Sequence, residues 1–232
     1  MYLYETHMHT SPTSACARVS VREALEFYKS AGYAGVAITN HFIDGNIDYT
    51  VRQLSYDERI RFFFEACEEG AEIGKEIGLT VFPGFEMSHG GTDFLVFGID
   101  CDWCLAHPEI EEMKKSEALR YMEMDGALII QAHPFREGGW IDHVRLYPRN
   151  IHGAEVFNAN RNAFENRLAE QFCENYNLIR FAGSDNHVGA AQTLFGGMAT
   201  EEPLADLADF IAAVRDGRAK PFMRDGDGLK ML

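Results

Sequence analysis

Basic charge is what this chain is short of. Against 36 Asp and Glu it carries 21 Lys and Arg, a formal net charge of −15 over 232 residues. Nucleic-acid binding draws its affinity from cationic side chains that displace counterions, so general nucleic-acid binding is not expected. A metal cluster would still make a locally positive mouth in such a protein and attract phosphate. The chain also lacks any apolar run near the ~18 residues that mark a membrane span. It opens without the charged and apolar segments of a secretory leader. Its five cysteines are an odd number without a framework of spacings. Cys101 and Cys104 form a lone C-x-x-C with no second pair to complete a zinc site. A cytoplasmic, reducing setting is expected. No Pro- or Ser-rich linker, repeat or low-complexity tract divides the chain. Residues 1–232 are therefore expected to form a single domain, with the Gly/Asp-rich stretch 224–232 as a frayed tail.

What is present is a hydrophobic content of 46%, enough for a sizeable core. Residues 2–7, 35–39, 79–85, 94–99, 127–132, 153–157 and 178–182 read as strands, with a short one near 197–200. Ser20 and Ser55 each stand three residues before a Glu, the capping-box signature, and each opens a helix. Further helices are expected from Pro108, over 163–176, and along the apolar stripe from Leu204 to Val214. Strands alternating with helices predict a parallel sheet with helical crossovers. Polar residues fall at strand ends along the whole chain, which fits a closed or distorted barrel better than an open sheet.

Those strand ends carry the chemistry. His7 and His9 follow Tyr2-Leu3-Tyr4, and the two rings are expected to converge where the strand curls out of the sheet. His41 follows G-V-A-I-T-N, Glu86 follows L-T-V-F-P-G-F, and His133 follows A-L-I-I-Q-A. Asp185 and His187 follow L-I-R-F-A-G-S. A barrel would gather these ends at one face. Imidazoles and carboxylates converging in that number suggest a cluster of divalent metals, and such clusters serve hydrolysis, most often of phosphate esters.

The chain here resembles the polymerase-and-histidinol-phosphatase (PHP) family. The likeness runs through E-T-H-M-H-T at 5–10, S-V-R-E at 20–23, A-I-T-N-H at 37–41, P-G-F-E at 83–86, Q-A-H-P at 131–134, G-A-E-V-F-N at 153–158 and A-G-S-D-N-H at 182–187. It implies a distorted (β/α)7 TIM-like barrel, two or three divalent ions (zinc, manganese or iron), and phosphoesterase activity. By that resemblance His7, His9, Glu86 and Asp185 hold one ion, Glu86 and His133 share a second, and His41 and His187 belong to a third. The chain departs from the pattern at three positions. Asn40 stands where the family commonly has Asp. Cys16 stands where it has Asp or His, as a thiolate ligand or a small loop residue. Leu95 stands where many members have a ligating histidine, and His89 nearby is a candidate substitute.

The expected activity is that of a phosphatase on a small phosphorylated metabolite. A metal-bridged hydroxide is the expected nucleophile, with Asp185 and His187 as catalytic residues and His187 or a metal-bound water protonating the leaving group. Arg136, Arg18 and Arg161 are candidates to clamp the phosphate. Glu155 and Asn158 are expected to support the ligands rather than bind metal. The Phe-rich stretch 62–64 reads as barrel packing, with a homo-oligomer contact left open. Two alternatives stand beside this reading: another metal-dependent barrel hydrolase of deoxyribonuclease or amidohydrolase type, and a catalytically silent metal-binding module.

Overall fold

The computed structural model describes residues 1–232. Ten strands form one mixed sheet: β1 (Tyr2–Met8), β2 (Gly35–Ile38), β3 (Thr80–His89), β4 (Thr92–Phe97), β5 (Leu128–Ala132), β6 (Gly153–Asn158), β7 (Ile179–Gly183), β8 (Phe195–Thr200), β9 (Lys220–Asp225) and β10 (Gly228–Met231). Their order is β10-β9-β8-β1-β2-β3-β4-β5-β6-β7. Six helices accompany them: α1 (Val21–Ser30), α2 (Tyr56–Ile77), α3 (Cys101–Ala106), α4 (Lys115–Met124), α5 (Ala163–Tyr176) and α6 (Leu207–Arg215). Ser20 and Ser55 cap α1 and α2 through capping boxes with Glu23 and Glu58, and Asn162 caps α5 in the same way with Glu165.

The sheet curls until the chain after β7 reaches the end of β1. There His9 N donates to Asn186 O (2.8 Å) and Asn186 N donates to His7 O (3.2 Å). Alternation along the strands divides the core into two layers. Tyr4, Phe82, Leu95, Phe97, Leu128, Ile130 and Phe181 face the hollow of the sheet. Phe210 of α6 closes the end at which the parallel strands begin, stacking on Phe82 at 4.9 Å between centroids. Val36, Ile38, Phe85, Phe94, Val96 and Ile129 face outward, in one cluster with Leu25 and Tyr28 of α1 and Phe63 of α2.

The parallel sheet with helical crossovers expected from the sequence forms only in part, within a curled mixed sheet. β1–β2, β2–β3, β5–β6 and β6–β7 are parallel, but β4 runs antiparallel to both neighbours and β8 runs antiparallel to β1. The reason at β4 is local. β3 continues to His89, and Gly90 and Gly91 take φ of +55° and +87°. Two consecutive glycines at positive φ make the tight turn that reverses a strand, and a parallel partner would need a long crossover. The helix expected from Pro108 is also divided: a single 3-10 turn over Pro108–Glu111 precedes α4. The tail does not fray. Within 224–232, β10 pairs with β9, and Arg180 Nη1 donates to the Leu232 carbonyl at 3.3 Å. No helix is long and apolar enough to cross a membrane.

Candidate metal centre

The parallel strands β1, β2, β3, β5, β6 and β7 all end at one rim of the sheet. His7, His9, His41, Glu86, His133, Asp185 and His187 meet there. Three overlapping sets have their ligand atoms within 4.8 Å of one another: His7, His9 and Asp185; His7, Glu86 and His133; and His9, His41 and His187. His7 and His9 converge without the strand curling out. They are two residues apart and share a face, while Met8 between them packs into the outer core. An irregularity in the β1–β2 register between Glu5 and Met8 lets Tyr4 face the hollow while His7 and His9 also face the site. His133 and Asp185 reach the site from positive φ, +28° and +53°. Side chains rarely adopt that region, and it recurs where function holds a residue in place.

The hydrogen bonds decide which ring nitrogen turns to the site. His7 Nδ1 lies 2.8 Å from a Glu155 carboxylate oxygen, which only accepts, so Nδ1 carries the proton. His187 Nδ1 donates to the Asp185 carbonyl at 2.9 Å by the same logic. Ser14 Oγ donates its one hydrogen to Asn40 Oδ1 (2.9 Å), so it accepts from His9 Nδ1 at 3.1 Å. Three rings thus turn Nε2, not Nδ1, toward the site, where a metal could displace any proton it carries. His7 Nε2 and His9 Nε2 stand 3.1 Å apart, and each is 3.5 Å from Asp185 Oδ1. Two ring nitrogens and a carboxylate oxygen at these separations suit ligands of one cation. Such fixed tautomers, each backed by an acceptor, are the usual support of metal-binding histidines.

Glu86 sits at the centre. Its oxygens lie 2.7 Å from His41 Nδ1, 3.1 Å from His133 Nε2 and 3.4 Å from His7 Nε2. Burial opposes its charge, but His41, His133 and His7 hold its carboxyl well below the usual range. Asp185 is likewise buried, and His7 and His9 draw it well below the usual range. His7 also loses by burial, yet Glu155 and Asp185 raise it well above its ordinary value. His9 goes the other way, lowered by burial and by His187 and His41. Glu86 Oε2 and His133 Nδ1 are buried without a hydrogen-bond partner. Orphaned donors and acceptors in a buried site, with this N/O set, fit divalent metal ions.

The supporting residues are as informative. Glu155 is fully buried and accepts from His133 N and Asn158 Nδ2, both at 2.9 Å, besides His7. Asn40 bonds Thr10 twice. Its Oδ1 accepts from Thr10 N (2.6 Å) while its Nδ2 donates to Thr10 Oγ1 (2.9 Å). Gly183 is the close approach that admits these groups: a Cβ there would lie 2.5 Å from both Glu155 Oε1 and His7 Cβ.

A cavity of about 550 Å³ opens over the site, lined among others by Cys16, Arg52, Asp93, Arg136, Trp140 and Arg161. Two of the three arginines expected at the phosphate, Arg136 and Arg161, are there. Arg18 is not among the lining residues; it is exposed, and its backbone N–H donates to the His187 carbonyl at 2.8 Å. Burial raises the Cys16 thiol, but the neighbouring His187 and His41 pull it down to about 6. His89 is exposed at the end of β3 and does not line the cavity, so it does not substitute for a ligand at Leu95, which is buried in the inner core. Sequence reasoning missed Arg52, Trp140 and Asp93. For Asp93 a signal existed: Gly90-Gly91 between two apolar runs marks a hairpin, and a hairpin brings the start of β4 to the site.

Comparison with known proteins agrees with the motif reading. A family model described as PHP-associated matches residues 163–219. No curated protein sequence matches the chain. A two-domain protein from Bacteroides vulgatus, containing a predicted PHP-like metal-dependent phosphoesterase, has a TM-score of 0.65 at 17% identity. The match covers 95% of this chain and 64% of that one, so this chain spans less than two thirds of that protein. A metal-dependent phosphoesterase, so named by inference, from Bifidobacterium adolescentis has a TM-score of 0.56 at 14% identity over 91% of this chain and 96% of its own. An amidohydrolase from Chromobacterium violaceum, solved with sulfate and no metal, has a TM-score of 0.53 at 14% identity over 81% of this chain and 88% of its own. At these identities the likeness to solved structures is one of fold.

Proposed function

We propose that this chain, of PHP type by its motifs, its family-model match and its fold, is a metal-dependent hydrolase acting on a small phosphorylated molecule. The observation that carries the reading is the set of imidazole nitrogens gathered around buried Glu86 and Asp185, beneath a cavity lined by Arg52, Arg136 and Arg161. Carboxylates and imidazoles would hold the ions; guanidinium groups would hold the phosphate. In this reading His7, His9, Glu86 and Asp185 hold one ion, and Glu86 with His133 a second. His41, His187 and Cys16 face a third position at the mouth. Bound divalent ions supply Lewis acidity and a water acidic enough to act as a nucleophile near neutral pH. Zinc, manganese and iron all suit such donors.

The protein's own groups do the rest. Asp185 and Glu86 set the charge of the site. Arg136 and Arg161, which follow β5 and β6, would orient the phosphate from the cavity wall. His187 is partly exposed, with Nδ1 held by the Asp185 carbonyl, so Nε2 can deliver a proton to the leaving oxygen whenever it is not itself a ligand. The shared fold with an amidohydrolase keeps amide hydrolysis as the second reading.

The test is elemental analysis of the purified protein beside a screen of p-nitrophenyl phosphate, bis(p-nitrophenyl) phosphate, phosphorylated metabolites and small amides, with manganese or zinc. Two or three ions per chain and ester turnover lost in Asp185→Ala would support the phosphoesterase. Turnover of amides alone would favour the second reading. Full metal without any turnover would leave a silent binding module.

A further inference from the structure

Residues 133–152, between β5 and β6, form neither strand nor helix, and this loop carries an exposed indole. Trp140 is 73% exposed, yet it lines the cavity over the site. It is the one large apolar side chain there; the other lining residues are polar, charged, glycine or Cys16. Exposed apolar residues scattered over a surface need no explanation, but an indole at the mouth of a polar cavity does. Resting on the phosphoesterase reading above, we propose that Trp140 is the platform on which a planar ring of the substrate stacks. The small phosphorylated molecule is then one that carries an aromatic or heteroaromatic ring, with its phosphate at the metal centre and its ring outward.

Three observations support it. First, the loop is fixed where it holds the indole. Arg136 Nη2 donates to the Gly91 carbonyl at 3.1 Å and Arg145 Nη1 to the Gly90 carbonyl at 2.7 Å, so the loop is tied to the turn between β3 and β4 on either side of Trp140. Ile141 packs against Gly91, where a Cβ would lie 2.7 Å from Ile141 Cγ1. Trp140 sits in a turn closed by Ile141 N donating to the Gly138 carbonyl at 2.9 Å. An aromatic side chain held in place before binding gives up little freedom when it stacks. Second, the ring has a seat but no partner. A Cβ at Gly138 would lie 3.0 Å from the indole Cη2, so glycine leaves the ring its room. The chain's own cations lie over the rings of Tyr49, Phe164 and Tyr33, and none over Trp140. Third, the dimensions agree. A cavity of about 550 Å³ is far larger than one phosphate and of the size that holds a small organic ligand. The same loop reaches inward with Arg136, whose side chain is 18% exposed and stands 2.5 Å from buried Asp93. It thus offers a guanidinium for the phosphate close to the metals and an aromatic face further out.

The experiment uses metal-loaded wild type, Trp140→Phe and Trp140→Leu with two pairs of probes: benzyl and ethyl phosphate for turnover, benzylphosphonate and ethylphosphonate for binding by calorimetry. Within each pair the anion is the same and the ring is the difference. Wild type should favour the benzyl member at least ~5-fold in kcat/KM and in Kd, the lower end of what one aromatic stack is worth. Trp140→Phe should keep most of that preference. Trp140→Leu, apolar but not planar, should lose it while the ethyl compounds change little. The exposed indole should emit further to the blue once benzylphosphonate covers it, a shift that Trp103 alone does not give in Trp140→Phe. A wild type that hydrolyses and binds benzyl and ethyl compounds alike overturns this inference alone. So does a preference that survives in Trp140→Leu, or an equal loss of both members in that variant. A metal-loaded wild type that neither binds a phosphonate nor hydrolyses any phosphate ester overturns the phosphoesterase reading and this inference with it.

Discussion

Glu155 accepts from His7 Nδ1 at 2.8 Å with one oxygen and from the His133 backbone N–H at 2.9 Å with the other. A single carboxylate thus sets the tautomer of one candidate ligand and the backbone of another, across the gap between β1 and β5. Glu155→Gln keeps the shape but offers only one acceptor. We expect metal affinity to fall ~10–100-fold with the fold intact, the usual cost of losing a group that orients ligands. Calorimetric titration of the metal-free variant measures it; unchanged affinity would show that Glu155 is only structural.

Gly183 has no room for a side chain. The added Cβ would meet Glu155 Oε1 and His7 Cβ, both at 2.5 Å. Gly183→Ala should cost about 1–3 kcal/mol of stability by overpacking, and should weaken metal binding as well because both clashing groups serve the site. Urea unfolding of metal-free protein separates the first effect from the second.

Cys16 should behave unlike the other cysteines. Burial pushes the Cys67 and Cys173 thiols up to about 12, whereas His187 and His41 bring Cys16 down to about 6 against its own burial. The thiolate is the reactive form. Metal-free protein at pH 7 should therefore show one fast thiol toward a disulfide reagent, absent in Cys16→Ser and slowed by zinc. Cobalt substitution should give a sulfur-to-metal charge-transfer band that Cys16→Ser removes. A fast phase that survives the substitution would assign the reactivity elsewhere.

Glu5 gives a pH dependence of known sign. Burial raises its acid from 4.5 to about 7, outweighing the hydrogen bonds from Ser184 and His7. The folded protein keeps a proton that the unfolded chain releases above about 4.5, so the contribution is full below that pH and is lost as pH rises through 7. In metal-free protein, wild type should lose on the order of 3 kcal/mol over this window relative to Glu5→Gln. Parallel stability curves for the two proteins would show that Glu5 does not titrate there.

Much of the site was legible because its signals are local. Each of His7, His9, Glu86 and His133 lies at or just past the end of a short apolar-rich run, and a strand end needs no long-range information to be recognised. The capping boxes at Ser20 and Ser55 are equally local, since the cap and its partner lie three residues apart. What failed was the inference from alternation to a uniform parallel sheet. Tail residues 224–232 looked frayed because Gly and Asp are poor strand formers, yet pairing with β9 overrides propensity.

The sequence by itself determined the donor chemistry of this protein: imidazoles and carboxylates at strand ends, few cations, and one cysteine among the candidates. Tertiary structure decided which of them share a centre. The direction of β4 is set by a glycine turn but realised only by pairing with β3 and β5, and it carries Asp93 to His133. The curl of the sheet brings Asn186 to His7 and His9, residues far apart in the chain, and so closes the rim. A ligand's identity is a property of one residue. A lone pair's direction depends on the acceptor behind it, and Glu155, Ser14 and the Asp185 carbonyl reach the rings of His7, His9 and His187 only in the folded chain.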